Sequence, residues 1–483
     1  MGVVVGHVVH AFDVFMVGYF VTLLAINTAL AVAGWRAIED YVRRRPMRDY
    51  AWVGRSPLTL PVSILAPAYN EGPVIVPAIV ALMASQFVNF EVIVVNDGSR
   101  DDTLEALHKG FSLLPAGRVP RANLVTKPVR GVYISPDEPR LVVIDKENGG
   151  KADALNVGLR YARYPLVCAI DADTLLDPGA LSRLVWEFQS SPDTVATGGI
   201  VRIINGSTIR DGRVAEVKTS RSLVANVQIL EYLRAFLGAR VGWSRAGMLI
   251  IISGAFGLFR RQAVIDAGGW DTRTVGEDAE LVLRLHRTRR EQGRECRITF
   301  FPDPICWTEA PGDLKTLIRQ RDRWQRGLTE MIGRHRAMAA NPRYGRIGLV
   351  ALPYFVIFEL FGPVIELLGY GALISSILFG FASLDLIILM MALSISCGFV
   401  LSFVAILMEE RAFRRYPGWS CLSRLVIAAI VENLGYRQLM TVVRARAWWT
   451  IKKSNGWGEM TRTGFTQAPG SDPETGSPAP IST

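Results

Sequence analysis

Four short apolar runs early in the chain each end in residues able to hold a charged ligand or move a proton. Val62–Ala66 leads to Ala68-Tyr69-Asn70-Glu71, Glu91–Asn96 to Asp97-Gly98-Ser99, Leu141–Ile144 to Asp145 and then Asn148-Gly149-Gly150-Lys151, and Leu166–Ile170 to Asp171-Ala172-Asp173. Asp, Asn and Gly also make turns and helix caps, which explains any one of these clusters. Four in succession are harder to assign to turns alone. A glycine turn that opens a helix at Lys151 can approach a diphosphate, although Ala152 stands where a Walker A loop has Ser or Thr. Asp171 and Asp173 put two carboxylates at one strand end, an arrangement suited to oxygen-ligated Mg²⁺ or Mn²⁺.

Two later clusters carry further chemistry. Gly276-Glu277-Asp278-Ala279-Glu280 brings three acids into the first turn of a helix, where they complement its dipole. The other reading is a carboxylate beside the divalent site that accepts a proton from a hydroxyl. Gln320-Arg321-Asp322-Arg323-Trp324 combines two guanidinium groups with an indole. A basic helical face explains the arginines, and Trp324 adds a flat apolar surface of the kind sugars stack on.

The elements that must position these residues follow an α/β pattern. The four apolar runs read as buried strands, with helices expected around 73–86, 100–109, 151–163 and 178–189, which implies a mostly parallel sheet covered on both faces. In such sheets ligands bind beyond the carboxyl ends of the strands, where the polar clusters fall.

Around this domain the chain turns apolar. Residues 14–35 and 386–408 contain no charged residue, and 347–380 contains only Glu359 and Glu366. Each is long enough to cross a hydrocarbon core, which takes about 20 helical residues. The run 347–380 would be about 51 Å long as one helix, so a single crossing plus an interfacial overhang, broken or kinked at Pro353 or Pro363, is expected. Arg36, Arg43, Arg44, Arg45, Arg48 and Arg55 follow the first span and place the soluble domain in the cytoplasm by the positive-inside rule. The stretches 227–245 and 313–336 fit amphipathic helices lying on the membrane and plain surface helices equally, and 424–453 fits an interfacial helix.

Half of the 483 residues are hydrophobic (50%), 20% are charged, and the net charge is +10. Wholesale disorder, a fibrous repeat and a disulfide miniprotein are excluded. Five scattered cysteines fit reduced thiols, and the basic excess reads as arginines at an anionic leaflet; nucleic acid is not an expected partner.

Taken together these residues resemble the inverting, GT-A-fold glycosyltransferases of family two, specifically the processive membrane synthases. The signatures are Tyr69-Asn70-Glu71, Asp97-Gly98-Ser99, Gly149-Gly150-Lys151-Ala152, Asp171-x-Asp173, Ser253-Gly254 before Arg260-Arg261, Glu277-Asp278 and Gln320-x-x-Arg323-Trp324, in the family's order over residues 62–330. The chain looks most similar to poly-N-acetylglucosamine synthases and their chitin-oligosaccharide and hyaluronan relatives. The resemblance implies that Tyr69, Glu71 and Asp97 hold the uridine of a UDP-sugar donor and that Lys151 and Asp171 sit near the nucleotide. It implies Asp173 as ligand of the divalent cation and Asp278 as the general base. Gln320, Arg321, Arg323 and Trp324, with Ser253 and Gly254, would line the site for the growing polysaccharide and the pyrophosphate.

Two departures stand out. Gly276 occupies the place where the motif usually has Thr, and no room follows residue 453 for the β-barrel domain of cellulose synthases. The expected division is 1–59 (span 12–35 and basic linker), 60–340 (GT-A domain), 341–410 (spans 347–380 and 384–408), 411–460 (basic loop and interfacial helix) and 461–483 (disordered tail). A multi-pass protein of a bacterial inner or plasma membrane is expected, with a small partner subunit or a homo-oligomer because three spans are few. Competing readings are transfer of one sugar to a lipid and a catalytically inactive export scaffold.

Overall fold

The computed structural model describes residues 2–450 except 173, 211–212, 380–383 and 417; for 2–10, 13, 449–450 and scattered positions between 376 and 397 only the backbone is described. Asp173 and the tail 461–483 therefore lie outside the described residues.

The strands in chain order are β1 (Val62–Ala68), β2 (Phe90–Asn96), β3 (Leu114–Pro115), β4 (Val129–Ile134), β5 (Leu141–Lys146), β6 (Leu166–Ile170), β7 (Leu175–Leu176), β8 (Thr194–Ile203), β9 (Thr208–Arg210), β10 (Arg213–Glu216), β11 (Phe256–Arg260) and β12 (Arg297–Thr308). Ten of them form one sheet in the order β3-β4-β5-β2-β1-β6-β11-β8-β12-β7, and β9 and β10 pair as a separate hairpin. β1, β2, β5 and β6 are the four runs picked out above. Every residue in them is buried, which is why they read as continuous apolar stretches rather than alternating ones. They pair parallel, with Ala68 beside Asn96 and Asn96 beside Asp145, so the polar exits meet at one edge.

The rest of the sheet departs from the expected parallel pattern. β11 runs antiparallel to both β6 and β8, β12 is parallel to β8, β4 is antiparallel to β5 and to the edge strand β3, and β7 is the antiparallel edge on the other side. The sheet is mixed because the second half of the domain is not built from βαβ units.

Two segments among the described residues are helical, long and apolar enough to cross a membrane: Val14–Met47 and Gly362–Phe379. They flank the α/β domain. The first belongs to a helix that begins at Gly2 and continues to Arg44, well past the expected 12–35. Its foot is tied to the sheet, since Tyr41 Oη donates to Asp303 at 2.5 Å. The run 347–380 breaks at Phe361, one residue before the helix Gly362–Phe379 that carries Pro363 at its start, leaving Ile347–Leu360 as a separate helical stretch. Leu384–Ala412 carries the third apolar run.

The stretch 223–245 is continuous helix, but its Leu230, Leu233, Leu237 and Val241 stripe is buried inside the protein. It packs against the N-terminal helix so closely that a Cβ on Gly34 would lie 2.7 Å from the Leu237 carbonyl, and one on Gly242 2.4 Å from that of Leu30. The stripe is a protein–protein seam within one chain. The expected single helix over 424–453 is two, Trp419–Val431 and Arg437–Thr450, bent at Gly435, whose φ of +137° only glycine adopts readily. The second of these packs on the helix Leu314–Arg334 and on Gly362–Phe379.

Candidate functional site

The strand exits are tied together before any ligand is considered. Asn70, at φ +56°, donates its amide to Ser99 Oγ at 3.0 Å and accepts from the Arg100 amide at 2.9 Å. Gly98 (φ +66°) lets the β2 exit pass beneath Asn148, whose amide nitrogen would lie 2.8 Å from a Cβ there. Glu71, buried, directly precedes the helix Gly72–Met83, its backbone carbonyl accepting from the Val74 and Ile75 amides, with Tyr69 half-buried beside it. Asp97 is buried and accepts from the Gly149 amide at 3.0 Å, the Gly150 amide at 2.7 Å and the Lys146 ammonium. Its carboxylate thereby braces the glycine loop.

That loop delivers Lys151 as the first residue of the helix Lys151–Tyr161. Its ammonium lies 2.6 Å from Asp171 Oδ1 and 3.5 Å from Glu277 Oε1, and it donates to the Gly254 carbonyl at 3.1 Å. Burial by itself would lower the lysine's pKa, but Asp171 and Glu277 overcome it and hold the group above the usual range. Glu277 is pushed up, by burial first and then by Asp278 and Asp171, against the pull of Lys151. Two carboxylates thus share one ammonium, with the charge of Asp278 close by.

Asp278 sits in the first turn of the helix Glu277–Glu291, against Gly254, where a Cβ would come within 2.8 Å of its Oδ2. Ser253 and Gly254 lie in the turn that leads into β11. Opposite them the helix Leu314–Arg334 presents Gln320, Arg321, Arg323 and Trp324. Arg321 donates to Glu231 Oε2 at 2.5 Å and stacks 4.4 Å from the centre of the Trp324 ring, while Tyr436 Oη donates to the same Glu231 oxygen at 3.1 Å. Arg321 is therefore committed to fixing the indole, which stays 43% exposed. Gln320 Oε1 is buried without a hydrogen-bond partner among the described residues.

One cavity of about 870 Å³ joins these groups. Its lining includes Glu71, Lys151, Asp171, Ser253, Gly254, Asp278, Gln320, Arg321, Arg323 and Trp324, but neither Tyr69 nor Asp97. The same cavity continues among the apolar helices, where it is lined by Leu23, Phe358, Leu401 and Met440 and by charged residues. Those charges are closed on one another: Glu359 with Arg444 at 3.0 Å, Glu366 with Arg437 at 3.4 Å, and Glu432 with Arg234.

The donor chemistry suits a hard cation. Asp171, Glu277 and Asp278 supply carboxylate oxygens in excess of the local ammonium, the ligand type Mg²⁺ and Mn²⁺ take. No group of three His, Cys, Asp or Glu side chains converges as a metal cluster among the described residues.

Several residues of the site carry no motif. Glu231 lies 90 residues from Arg321 in sequence. Glu330 accepts from Thr274 Oγ1 at 2.8 Å and from the Val275 amide at 3.0 Å. Such partners become visible only when the chain is folded.

A parallel block extended by antiparallel strands, with acids and a lysine at the strand exits, defines a GT-A-like glycosyltransferase domain. The chain belongs to the glycosyl transferase family group 2, whose family model matches residues 166–408, and the glycosyl transferase family 2 model matches residues 63–265. It is 30% identical over 271 residues to the poly-beta-1,6-N-acetyl-D-glucosamine synthase of Staphylococcus aureus (strain COL), covering 56% of this chain and 55% of that one. Against the Staphylococcus epidermidis enzyme of the same name the identity is 29% over 272 residues, again 56% of this chain and 55% of that one. The chain thus spans about half the length of the curated relatives it matches. Among solved structures, the mannosyltransferase PcManGT from Pyrobaculum calidifontis in complex with GDP-Man and Mn²⁺ aligns with a TM-score of 0.48 at 20% identity, over 86% of this chain and 99% of that one. TarS 1-349 of S. aureus aligns with a TM-score of 0.37 at 13% identity, over 78% and 92%.

Proposed function

We propose that this glycosyltransferase is an inverting, processive membrane enzyme that polymerises a UDP-sugar, UDP-N-acetylglucosamine in the first instance, into a β-linked polysaccharide and passes it across the membrane. The observation that carries this reading is the single cavity that runs from Lys151, Asp171 and Asp278 past Trp324 into the apolar helices. The identity to the Staphylococcus synthases adds support for the sugar.

In this reading an acceptor hydroxyl lies between Asp278 and the donor. Its oxygen attacks the anomeric carbon, the bond from that carbon to the diphosphate oxygen breaks, and the hydroxyl proton passes to the Asp278 carboxylate. Direct displacement inverts the centre, so an α-linked donor yields a β-linkage. Lys151 and Arg323 line the cavity as the cations that face the departing diphosphate, and Trp324, fixed by Arg321 and Glu231, supplies the platform for the terminal sugar. Asp171, with Asp173, would hold a divalent cation that, when bound, offsets charge on the diphosphate. The catalytic domain is assigned to the cytoplasm, residues 60–340, with Leu384–Ala412 as a third span, the helices around 313–336 and 424–453 at the interface, and a second copy or small subunit completing the channel.

The test is UDP release by the purified full chain across a panel of UDP-sugars with Mg²⁺ or Mn²⁺, followed by enzymatic digestion and sizing of the product. Long digestible polymer from UDP-N-acetylglucosamine is expected. A product limited to a singly glycosylated lipid would refute processivity, and undiminished UDP release by Asp278→Asn would remove Asp278 from the chemistry.

A further inference from the structure

The segment that carries Asp278 is stitched to the far half of the helix that carries the acceptor residues. Arg334 reaches Asp271 Oδ2 at 2.9 Å and the Arg273 carbonyl at 2.7 Å. Glu330 Oε2 accepts from Thr274 Oγ1 and from the Val275 amide, and Thr274 Oγ1 in turn accepts from the Gly276 amide at 3.2 Å. Gly276 and Gly327 meet backbone to backbone: a Cβ on either would lie 3.2 or 3.1 Å from the other's Cα. Just beyond the helix, His335 Nε2 lies 3.0 Å from Glu280 Oε1.

These contacts follow a helical stripe. Gly327, Glu330 and Arg334 are spaced three and four apart, and Gln320 and Arg323 continue the same spacing one and two turns earlier. One face of one helix thus bears the acceptor groups at one end and grips the base segment at the other. The contacts also account for Gly276, which stands where the family pattern has Thr. A threonine there would press its Cβ against Gly327, and the hydroxyl of Thr274, two residues earlier, supports the loop instead.

We propose that Glu330 is a positioning residue for the transfer step: through Thr274 and Val275 it sets the distance between Asp278 and the helix face bearing Gln320, Arg323 and Trp324. The proposal rests on Asp278 being the general base. Glu330 is not among the residues lining the cavity, so its removal displaces the base from the acceptor hydroxyl without altering donor binding.

The experiment measures kcat and KM for UDP-N-acetylglucosamine by UDP release from the purified full chain, for Glu330→Ala, Glu330→Gln, Thr274→Val and Gly276→Thr, with Asp278→Asn as control. Glu330→Ala should lower kcat roughly 10- to 100-fold, the scale set by a base displaced by about 1 Å, and leave KM within about twofold. Glu330→Gln keeps a carbonyl acceptor and should recover most of the loss, Thr274→Val should lose several-fold, and Gly276→Thr should lower kcat rather than raise it. An inactive Asp278→Asn alongside a Glu330→Ala with kcat within twofold of the parent overturns the proposal while sparing the base assignment. So does a Glu330→Gln no better than Glu330→Ala with KM and kcat impaired together. An active Asp278→Asn overturns the base assignment itself. Should Glu330→Ala not be recovered monodisperse, Thr274→Val, which removes one hydroxyl, decides by the same kcat criterion.

Discussion

Removing the carboxylate of Glu409 should uncouple the catalytic sheet from the apolar helices. Glu409, near the end of Leu384–Ala412, meets Arg202 of β8 at 2.5 Å, and both side chains are 1% exposed. Trp307, Phe413 and Tyr416 ring the guanidinium at 5.6 to 5.9 Å, and its Nε and Nη1 make no hydrogen bond among the described residues. Glu409→Gln leaves that cation buried and uncompensated, which costs about 3–5 kcal/mol, or roughly two to four decades in the unfolding equilibrium. Replacing both partners, as Arg202→Met with Glu409→Met, removes the stranded charge together with the bond and should return stability to within about 1–2 kcal/mol of the parent. The assay is thermal unfolding of the detergent-solubilised chain followed by tryptophan fluorescence, with Trp307 beside the pair. A four-way cycle of parent, Arg202→Met, Glu409→Met and the double then isolates the coupling. Singles that unfold with the parent, or a double as unstable as the sum of its singles, would refute the reasoning.

Three further outcomes are expected. Lys151→Met leaves Asp171 and Glu277 without their ammonium and should cut UDP release by about 100-fold or more. Trp324→Ala removes a platform worth about 1 kcal/mol and should shorten the polymer, seen by product sizing, while the KM for the donor holds. His286 is buried in contact with the Leu249 carbonyl at 2.9 Å, and burial lowers its pKa from 6.5 to about 4. The unfolded chain therefore takes up a proton below pH 6.5 that the folded one refuses. Stability falls as pH drops from 6.5 towards 4, by about 3 kcal/mol from this residue. Denaturation across that window should show a shallower loss in His286→Gln, and an identical slope would contradict the assignment.

The legible parts of the molecule are those whose signal is local. β1, β2, β5 and β6 announce themselves because strands buried on both faces are unbroken apolar runs, and the polar residues at their ends are the ones the parallel register gathers. The helix Leu314–Arg334 is likewise visible in its spacing. β8 and β12 are hidden. Gly198 and Gly199 interrupt β8 because the side chains of Ile252 and Ile305 occupy the space of their Cβ atoms, 2.3 and 2.1 Å away, a reason supplied by residues far along the chain. Pro302 and Pro304 disguise β12, whose register with β8 shifts at that point. Asp97 was legible as a functional type, but its hydrogen bonds to a loop some 50 residues later were not. The stripe of 223–245 had the period of a membrane-facing helix, and periodicity cannot say whether lipid or the N-terminal helix covers it.

That seam of Gly34 and Gly242 also orders events in time. The two glycines are separated by about 200 residues, which at ~5–20 residues per second is roughly 10–40 s of synthesis. The first helix is complete long before the surface that docks on it exists. Most of the strands have been made by then, but the floor of the domain closes only when the 223–245 helix arrives and finds its partner. The rest of the catalytic domain, β11 and β12 included, is therefore built against a helix already in place. A chain whose first helix is delayed or misplaced should stall with Leu230, Leu237 and Val241 uncovered, a half-built enzyme that quality-control proteases can distinguish from the finished one.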